Sequence, residues 1–191
     1  MVFGSYSKAQ EILFLLHGAK DVVRQGFYEA ELPAIEQFCQ EYHLHLVKSK
    51  FKVLLADEEN FSNKGIRIPE DDSRPGMFFM YFSSDEEKAL LASYYELMGN
   101  DKNLGLILGY PACCVNFFLN NFNEQKTNLE LNPTNKYTNI SKRKEDFVLI
   151  SHFPCHSECK ESIELGKKYY NTLLSINPEN ANRIFQELEP K

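Results

Sequence analysis

The sequence predicts an α+β fold, a mainly helical single domain packed on a small β-sheet. Apolar residues recur at spacings of three and four in several segments, as they do in amphipathic helices. Short apolar and aromatic runs of strand length separate these segments. The chain has 191 residues, which is enough for one domain with a proper core and too few for two domains of ordinary size. We therefore expect residues 1–191 to form one domain.

Two helices are predicted in the N-terminal region, residues 1–76. In the stretch SKAQEILFLLHGAKDVVRQGF, residues 7–27, apolar residues recur at helical spacing as far as Val23, so one amphipathic helix is expected there. A second helix is predicted over Leu32–Tyr42. Its first turn contains Pro33, at a position where proline costs no hydrogen bond.

A strand and a loop complete this region. Residues 47–55 alternate apolar and basic side chains, which favours a strand. Residues 60–76, NFSNKGIRIPEDDSRPG, are rich in turn-forming and acidic residues, and this composition predicts a loop.

The next region, residues 77–175, is expected to hold a core built around cysteine motifs. It opens with an apolar and aromatic run over residues 77–82 that predicts a buried strand. Ser84 and Glu87 have the spacing of a capping box and predict a helix that ends at Gly99–Asn100.

Two glycines and a proline then lead into the first cysteine motif. Gly105 and Gly109 predict a tight turn or a close approach of the backbone. Pro111 predicts the start of another helix, which carries Cys113 and Cys114 in its first turn.

A long polar segment covers residues 123–146, and we expect it to be either a lid over the cysteines or a flexible insertion. A short buried strand is predicted over residues 147–150, followed by a helix from Pro154. Residues 176–191 are expected to form a C-terminal helix after Pro178.

Composition and charge exclude several classes of function. A net charge of −6 argues against nucleic acid as a partner, and the basic cluster at residues 142–144 is too short to change this expectation. No apolar run reaches the roughly 20 residues of a membrane span, so no membrane partner is expected. The N-terminus lacks the features of a signal peptide, and we expect a cytoplasmic protein with reduced thiols. A small molecule or a protein remains as the unknown partner.

The cysteines carry the clearest functional signal. Cys39 is interpreted as a buried hydrophobic residue. The other four lie in two short stretches, LGYPACCVNFF and SHFPCHSECKES: Cys113, Cys114, Cys155 and Cys159. If a helix begins at Pro154, the second pair lies one turn apart on one face. The pattern predicts a metal site at two helix N-termini, where the helix dipoles favour bound thiolates.

The sequence leaves the metal open. Neighbouring side chains on a helix diverge by about 100°, which disfavours the binding of one small ion by Cys113 and Cys114 together. An iron–sulfur cluster distributes its ligands over several irons, so a cluster bound by all four cysteines is favoured. Zinc bound by Cys155, Cys159, one of the adjacent pair and His152 is the alternative.

Two functions of other classes use the same residues. The chain could be a dithiol redox protein in which these cysteines react and His152 acts as base. It could also be a non-catalytic interaction module whose cysteines belong to the core. If the chain is an enzyme, Tyr110, His152 and Ser162 are the candidate catalytic residues, as groups that contact substrate or transfer protons.

The two cysteine stretches resemble a family of uncharacterised prokaryotic proteins with a G-Y-P-x-C-C-V-x-x-F element and a later H-x-P-C-x-x-x-C-x-x-S element. The likeness covers about residues 77–169 and leaves out residues 1–76. It implies that the two stretches form one site, and it implies no reaction. The matching positions are Gly109, Tyr110, Pro111, Cys113, Cys114, Phe118, His152, Pro154, Cys155, Cys159 and Ser162.

Overall fold

The computed structural model describes residues 2–55, 65–123 and 125–190. These residues form seven α-helices and four β-strands, which confirms a mainly helical α+β fold. The strands are β1 (Val22–Phe27), β2 (His45–Leu55), β3 (Gly65–Pro69) and β4 (Met77–Ser83). The helices are α1 (Tyr6–Leu16), α2 (Leu32–Glu41), α3 (Glu86–Leu97), α4 (Asp101–Ile107), α5 (Ala112–Asn121), α6 (Lys160–Ile176) and α7 (Pro178–Glu187). None of these helices has the length and apolar character that crossing a bilayer requires.

The strands form one antiparallel sheet in the order β1-β4-β2-β3. The pairing of β2 with β4 shifts in register between Lys48 and Lys52. Ser49, at this irregularity, is buried, and its hydroxyl donates to the Phe51 carbonyl at 2.6 Å and accepts from the Phe79 amide at 3.1 Å. A polar side chain therefore supplies hydrogen bonds where the regular ladder is interrupted.

The two faces of the sheet are covered by different helices. Alternate side chains of a strand point to opposite faces, and in β4 Phe78, Met80 and Phe82 pack against α1 and α2. Tyr81 points to the other face and packs with Val22 of β1 against α3 and α4. The sheet thus forms the middle layer between two helical layers.

A third apolar cluster lies beyond the sheet and joins α1 to the C-terminal helices. Phe14 of α1 stacks on Tyr169 of α6 with a centroid distance of 4.3 Å. Helix α5 borders this cluster through Phe117 and Phe118. Helix α5 consequently runs along the boundary between the sheet half of the molecule and the C-terminal half.

Two predictions for the N-terminal region are wrong. The first helix ends at Leu16, because Gly18 adopts a left-handed backbone with φ of +67°, a common way to end a helix. The β-branched Val22 and Val23 then pair with β4 as part of β1. The predicted loop contains strand β3, while residues 60–64 lie outside the described residues. Helix α2 and strands β2 and β4 confirm the predictions for those segments.

Two predictions for the later region also need correction. Asp85, and not Ser84, caps α3, accepting hydrogen bonds from two amides of its first turn. The prediction for Gly105 and Gly109 is confirmed, because an added Cβ at Gly105 in α4 would lie 2.8 Å from Cγ2 of Val115 and the chain turns at Gly109 with φ of +79°. Residues 147–150 are largely buried in the third cluster but form no strand. Helix α7 agrees with its prediction.

Candidate metal centre

The first cysteine segment is the N-terminal turn of α5. Gly109 turns the chain after α4, and Pro111 occupies the N-cap position with extended backbone angles. Proline suits this end of a helix because the amide it lacks would have no partner within the helix. Cys113 and Cys114 then follow in the first turn, as predicted. Cys114 is buried, and Cys113 is partly exposed.

The second cysteine segment is a loop that ends at a helix, and this corrects the sequence interpretation. Helix α6 begins at Lys160, with Cys159 at its N-cap position, so Cys155 is not at a helix N-terminus. The two sulfurs are therefore not displayed one turn apart on a helix. Cys155 is held instead by its backbone amide, which donates to Sγ of Cys114 at 3.3 Å.

The polar segment 123–146 supports this loop. The Thr138 hydroxyl donates to the Ser157 carbonyl at 2.5 Å, and the Thr134 hydroxyl donates to the Glu158 carboxylate at 2.6 Å. The Ser157 hydroxyl in turn donates to the carbonyl of Asn132 at 2.7 Å. The described part of this segment is therefore attached by hydrogen bonds to the Cys155–Cys159 loop.

The four sulfur atoms converge on one point. All lie within 4.8 Å of one another, and they form the one group of three or more potential metal ligands found in the described residues. Sγ of Cys113 lies 3.8 Å from Sγ of Cys114 and 3.6 Å from Sγ of Cys159, and the last two are 3.7 Å apart. The two segments therefore form one site that is compatible with a bound metal.

The thiols differ in their tendency to ionise. Burial raises the pKa of Cys113 to about 12, and a hydrogen bond with Cys159 contributes in the same direction. Burial also raises the pKa of Cys114. For Cys159 burial acts in the same sense, but hydrogen bonds from Ser162, Cys113 and Cys155 outweigh it and lower the pKa. Cys159 lies at the N-terminus of α6, so this helix N-terminus lowers the pKa of Cys159. The sequence predicts this effect for Cys155 instead.

Ser162 and His152 form a layer behind the sulfurs. Ser162 is fully buried, and its Oγ lies 3.1 Å from Sγ of Cys114 and 2.8 Å from Nε2 of His152. His152 is itself buried but does not join the group of potential ligands. Burial, with Lys20 and Arg143 nearby, lowers the pKa of His152 to about 3, which keeps the imidazole neutral.

Tyr110 lies at the edge of the site and not among the sulfurs. Its ring centroid is 5.2 Å from that of His152, and its hydroxyl accepts a hydrogen bond from Ser151 at 3.3 Å. Lys20 approaches the ring face at 5.4 Å and is held by a buried ion pair with Glu11. Tyr110 and His152 are thus neighbours.

Several residues of the site were not found from the sequence. Lys20 is a single basic residue and Arg143 is one of the basic cluster at residues 142–144, and neither position indicates a role beside the cysteines. Glu161 accepts hydrogen bonds from the thiols of Cys159, at 3.5 Å, and Cys113, at 3.8 Å. Its position two residues after Cys159 was the available signal. Cys39 belongs to the core beneath α2, as the sequence analysis expected.

Comparison with known proteins supports the grouping of the two segments. Neither the curated proteins nor the solved structures compared with this chain include a significant match. One family model does match, and the matched segment includes both cysteine stretches, α4 to α6 and part of α7. This confirms the resemblance to a family without an assigned function. The segment, residues 89–183 and about half of the chain, belongs to the family described as protein of unknown function (DUF483).

Proposed function

We propose that this chain is a zinc-binding protein in which Cys113, Cys114, Cys155 and Cys159 hold one ion. The observation that supports the proposal is the mutual distance of at most 4.8 Å among the four sulfurs. Four cysteines from two short segments are a usual donor set of structural zinc sites. All four tetrahedral positions would then be taken by the protein, which is typical of a site that stabilises structure.

The distances favour one ion over a cluster. Zinc–sulfur bonds of about 2.3 Å in a tetrahedron put neighbouring sulfurs about 3.8 Å apart. The three measured separations among Cys113, Cys114 and Cys159 are 3.6–3.8 Å. In a four-iron cluster each cysteine binds a different iron of an inorganic core, so the four sulfurs would have to stand further apart than they do here.

The divergence of adjacent side chains on a helix disfavours zinc in the sequence, but Sγ of Cys113 and Sγ of Cys114 are only 3.8 Å apart. Two neighbouring cysteines of α5 can therefore bind the same ion. His152, the nitrogen ligand considered for zinc, has its Nε2 occupied by Ser162. We therefore assign it to the supporting layer, with four sulfurs as the donor set.

Such an ion would join parts of the chain that are distant in sequence. Cys113 and Cys159 are 46 residues apart, and they meet where α5 and α6 begin. A bound ion would fix these two helix ends and the loop that carries Cys155. The thiol redox alternative receives less support, because two of the four thiols have a raised pKa and two of the four are buried.

The experiment is metal analysis of protein purified without oxygen. We expect one zinc per chain, no acid-labile sulfide and no visible absorption. Replacement of zinc by cobalt(II) should give the charge-transfer and d–d bands of a tetrahedral site with four thiolates. Iron with sulfide and a brown colour would contradict the zinc proposal in favour of a cluster. Protein without any metal that regains none on addition of zinc would contradict a metal site altogether.

Matched cysteine variants locate the site. Cys113→Ser and Cys159→Ser should each lose most of the bound zinc. Cys39→Ala is the control, since Cys39 is a cysteine buried in the core beneath α2, and this variant should keep one zinc per chain. Equal zinc content in all three variants would place the metal elsewhere.

A further inference from the structure

A cavity of about 430 Å³ lies beside the cysteine site, and Cys114 forms part of its wall. This volume is within the range of pockets that bind small molecules, about 300–1,000 Å³. No function described above uses this space. The charges, hydrogen-bonding groups and rings of the wall therefore indicate which kind of ligand fits it.

Four charged side chains line the cavity, and their charges sum to zero. Arg24 and Arg143 are the cations, and Glu96 and Asp101 carry the carboxylates. An ionised group that is buried without an opposite charge is strongly destabilised. A wall with two charges of each sign has no net charge to offset that of an ionic ligand.

The buried ion pair between Arg24 and Glu96 needs no ligand. Nε and Nη2 of Arg24 each donate to the Glu96 carboxylate at 2.5 Å. The Tyr81 hydroxyl donates to the same carboxylate at 2.7 Å, and Nη2 of Arg67 lies 3.6 Å from its Oε1. An ionic ligand would have to compete with these contacts.

The other two charges of the wall also have interactions of their own. The guanidinium of Arg143 packs 5.1 Å from the ring centroid of Phe153, and the negative charge of Glu130 acts on it. Asp101, in the first turn of α4, is exposed, so it lies at the open side of the cavity where solvent reaches it. We therefore expect a ligand without net charge.

One uncharged polar atom of the wall lacks a partner. His152 is 94% buried, given its exposure of 6%, and its Nδ1 has no hydrogen bond to any described residue. The other ring nitrogen, Nε2, lies 2.8 Å from Oγ of Ser162, so the ring cannot turn Nδ1 to another partner without breaking this bond. A buried polar atom without a hydrogen bond is costly, and a group bound in the cavity would remove this cost.

The direction of the hydrogen bond at His152 is the one step that rests on the proposed zinc site. A metal-bound thiolate accepts hydrogen bonds only, so the Ser162 hydroxyl donates to Cys114 when the ion is present. Oγ of Ser162 then accepts from Nε2–H of His152, and Nδ1 is left as an acceptor. The ligand must therefore present a hydrogen-bond donor.

The remaining wall is largely apolar and aromatic. Phe118 stacks on Phe122 at 4.6 Å and lies nearly parallel to Phe153, with an interplanar angle of 9° and a centroid distance of 6.5 Å. All three line the cavity. Flat aromatic groups pack well on such rings, so the body of a ligand here should be a ring.

We propose that this cavity binds a small uncharged aromatic compound with one hydrogen-bond donor, such as a phenol. The ring packs among Phe118, Phe122 and Phe153, and the phenol hydroxyl donates to Nδ1 of His152. With a pKa of about 10, as in tyrosine, a phenol is uncharged at neutral pH. His152, a candidate for catalysis in the sequence, thereby becomes a ligand-contacting residue.

Four probes with the same ring test the proposal on the full, zinc-analysed chain. 4-Ethylphenol has the required ring and donor. 4-Hydroxyphenylacetate and 4-hydroxybenzylamine add a negative and a positive charge at about the same size, and 4-ethylanisole replaces the donor by a methoxy group. Calorimetry and NMR titration should show saturable binding of 4-ethylphenol, and each of the other probes should bind about tenfold more weakly or worse.

Three outcomes of this titration would overturn the inference. Tighter binding of either charged probe would show that the charges of the wall select the ligand. Equal affinity for 4-ethylanisole would show that the ligand does not donate to Nδ1 of His152. Absence of binding by all four probes at millimolar concentration would show that the cavity takes no ligand of this class.

NMR locates the bound probe. We expect intermolecular nuclear Overhauser effects from 4-ethylphenol to the rings of Phe118 and Phe153. In the zinc-bound chain, Nδ1 of His152 should carry no proton, and its ¹⁵N resonance should move when 4-ethylphenol binds. An Nδ1 that carries the proton, or Overhauser effects only to rings outside the cavity, would overturn the inference.

Two phenylalanines give a matched pair of variants. Phe118→Leu should weaken binding of 4-ethylphenol about threefold to tenfold, because a ring that packs on the ligand is lost. Phe185→Leu should leave the affinity unchanged, since Phe185 is also partly buried but stacks on Tyr170 at 4.3 Å and does not line this cavity. Equal affinity in both variants would contradict the proposal. The Overhauser effects on the unmodified chain test the same site even if Phe118→Leu does not fold.

The two proposals fail separately. A chain that contains zinc but binds none of the probes contradicts the cavity inference and leaves the metal site intact. A chain that contains no metal but binds 4-ethylphenol at Phe118 and Phe153, in preference to both charged probes, contradicts the zinc proposal and supports the cavity.

Discussion

Oγ of Ser162 lies 2.8 Å from Nε2 of His152, and both side chains are buried. The same oxygen is 3.1 Å from Sγ of Cys114. Ser162 therefore connects the imidazole of His152 to Sγ of Cys114, one of the sulfurs of the proposed metal centre. Groups that hydrogen-bond to metal ligands orient them and tune their basicity, so this serine offers a direct test of the assembly.

Ser162→Ala should weaken zinc binding by about tenfold to a hundredfold, the usual effect of removing a group that supports a ligand. It should also lower the free energy of unfolding by about 1–3 kcal/mol, because both nitrogens of His152 would then lack partners. Competition with a chromophoric chelator and chemical denaturation measure the two effects. Ser175→Ala is the control, since Ser175 is exposed on the same helix, and it should change neither quantity. Unchanged zinc affinity in Ser162→Ala would remove Ser162 from the site.

Removal of the metal should lower the thermal stability of the chain. A ligand that binds only the folded state adds about 4 kcal/mol at a thousandfold excess over its Kd. For a chain of this size that corresponds to a shift of about 10 °C in Tm. Calorimetry before and after chelation, with zinc returned as the control, measures the shift. An identical Tm in all three samples would show that the ion does not join α5 to the start of α6.

The cysteine site could be predicted from the sequence because its ligands are all of one reactive residue type and lie in two short stretches. Four cysteines in two short stretches indicated convergence without knowledge of the fold, and the sulfurs do converge. The backbone around the second stretch was predicted wrongly, since Pro154 was interpreted as the start of a helix that begins only at Lys160. The shape of that loop depends on hydrogen bonds that Thr138 and Thr134 donate to it. Both threonines belong to the polar segment 123–146, so the loop sequence alone does not reveal these bonds.

The errors in the fold have similar causes. Val22 and Val23 continue the helical spacing of α1, and only pairing with β4 makes this stretch a strand. Residues 147–150 have the composition of a strand but pair with no strand among the described residues. They are buried in the third cluster without regular secondary structure. In both cases tertiary contacts decide the structure and local propensity does not.

Glu96 on α3 should be important for stability. Its carboxylate is buried, accepts hydrogen bonds from Nε and Nη2 of Arg24, each at 2.5 Å, and accepts a third from the Tyr81 hydroxyl at 2.7 Å. Glu96→Ala leaves the Arg24 charge and the Tyr81 hydroxyl without their partner, and we expect a loss of about 3–5 kcal/mol. Urea denaturation measures the loss. Glu87→Ala, on the exposed first turn of the same helix, is the control and should cost about 1 kcal/mol or less.

Gly166 on α6 is the point where this helix comes closest to the polar segment. A Cβ at this position would lie 2.6 Å from the backbone oxygen of Tyr137, and a backbone atom cannot move aside as the end of a side chain can. Gly166→Ala should therefore destabilise the fold by about 1–3 kcal/mol, even though alanine is the better helix former. Because residues 134–138 support the cysteine loop, zinc affinity should fall as well. Denaturation and chelator competition measure both effects.

Gly26→Ala provides the matched control for this prediction. Gly26 is also buried, but an added Cβ would lie 3.4 Å from the side chains of Met77 and Phe79, which is ordinary van der Waals contact. It lies in β1, and none of its contacts belongs to the cysteine site. This variant should keep its zinc affinity and lose little stability. If Gly166→Ala instead matches Gly26→Ala in both measurements, the close packing of α6 on the polar segment does not hold the cysteine loop in place.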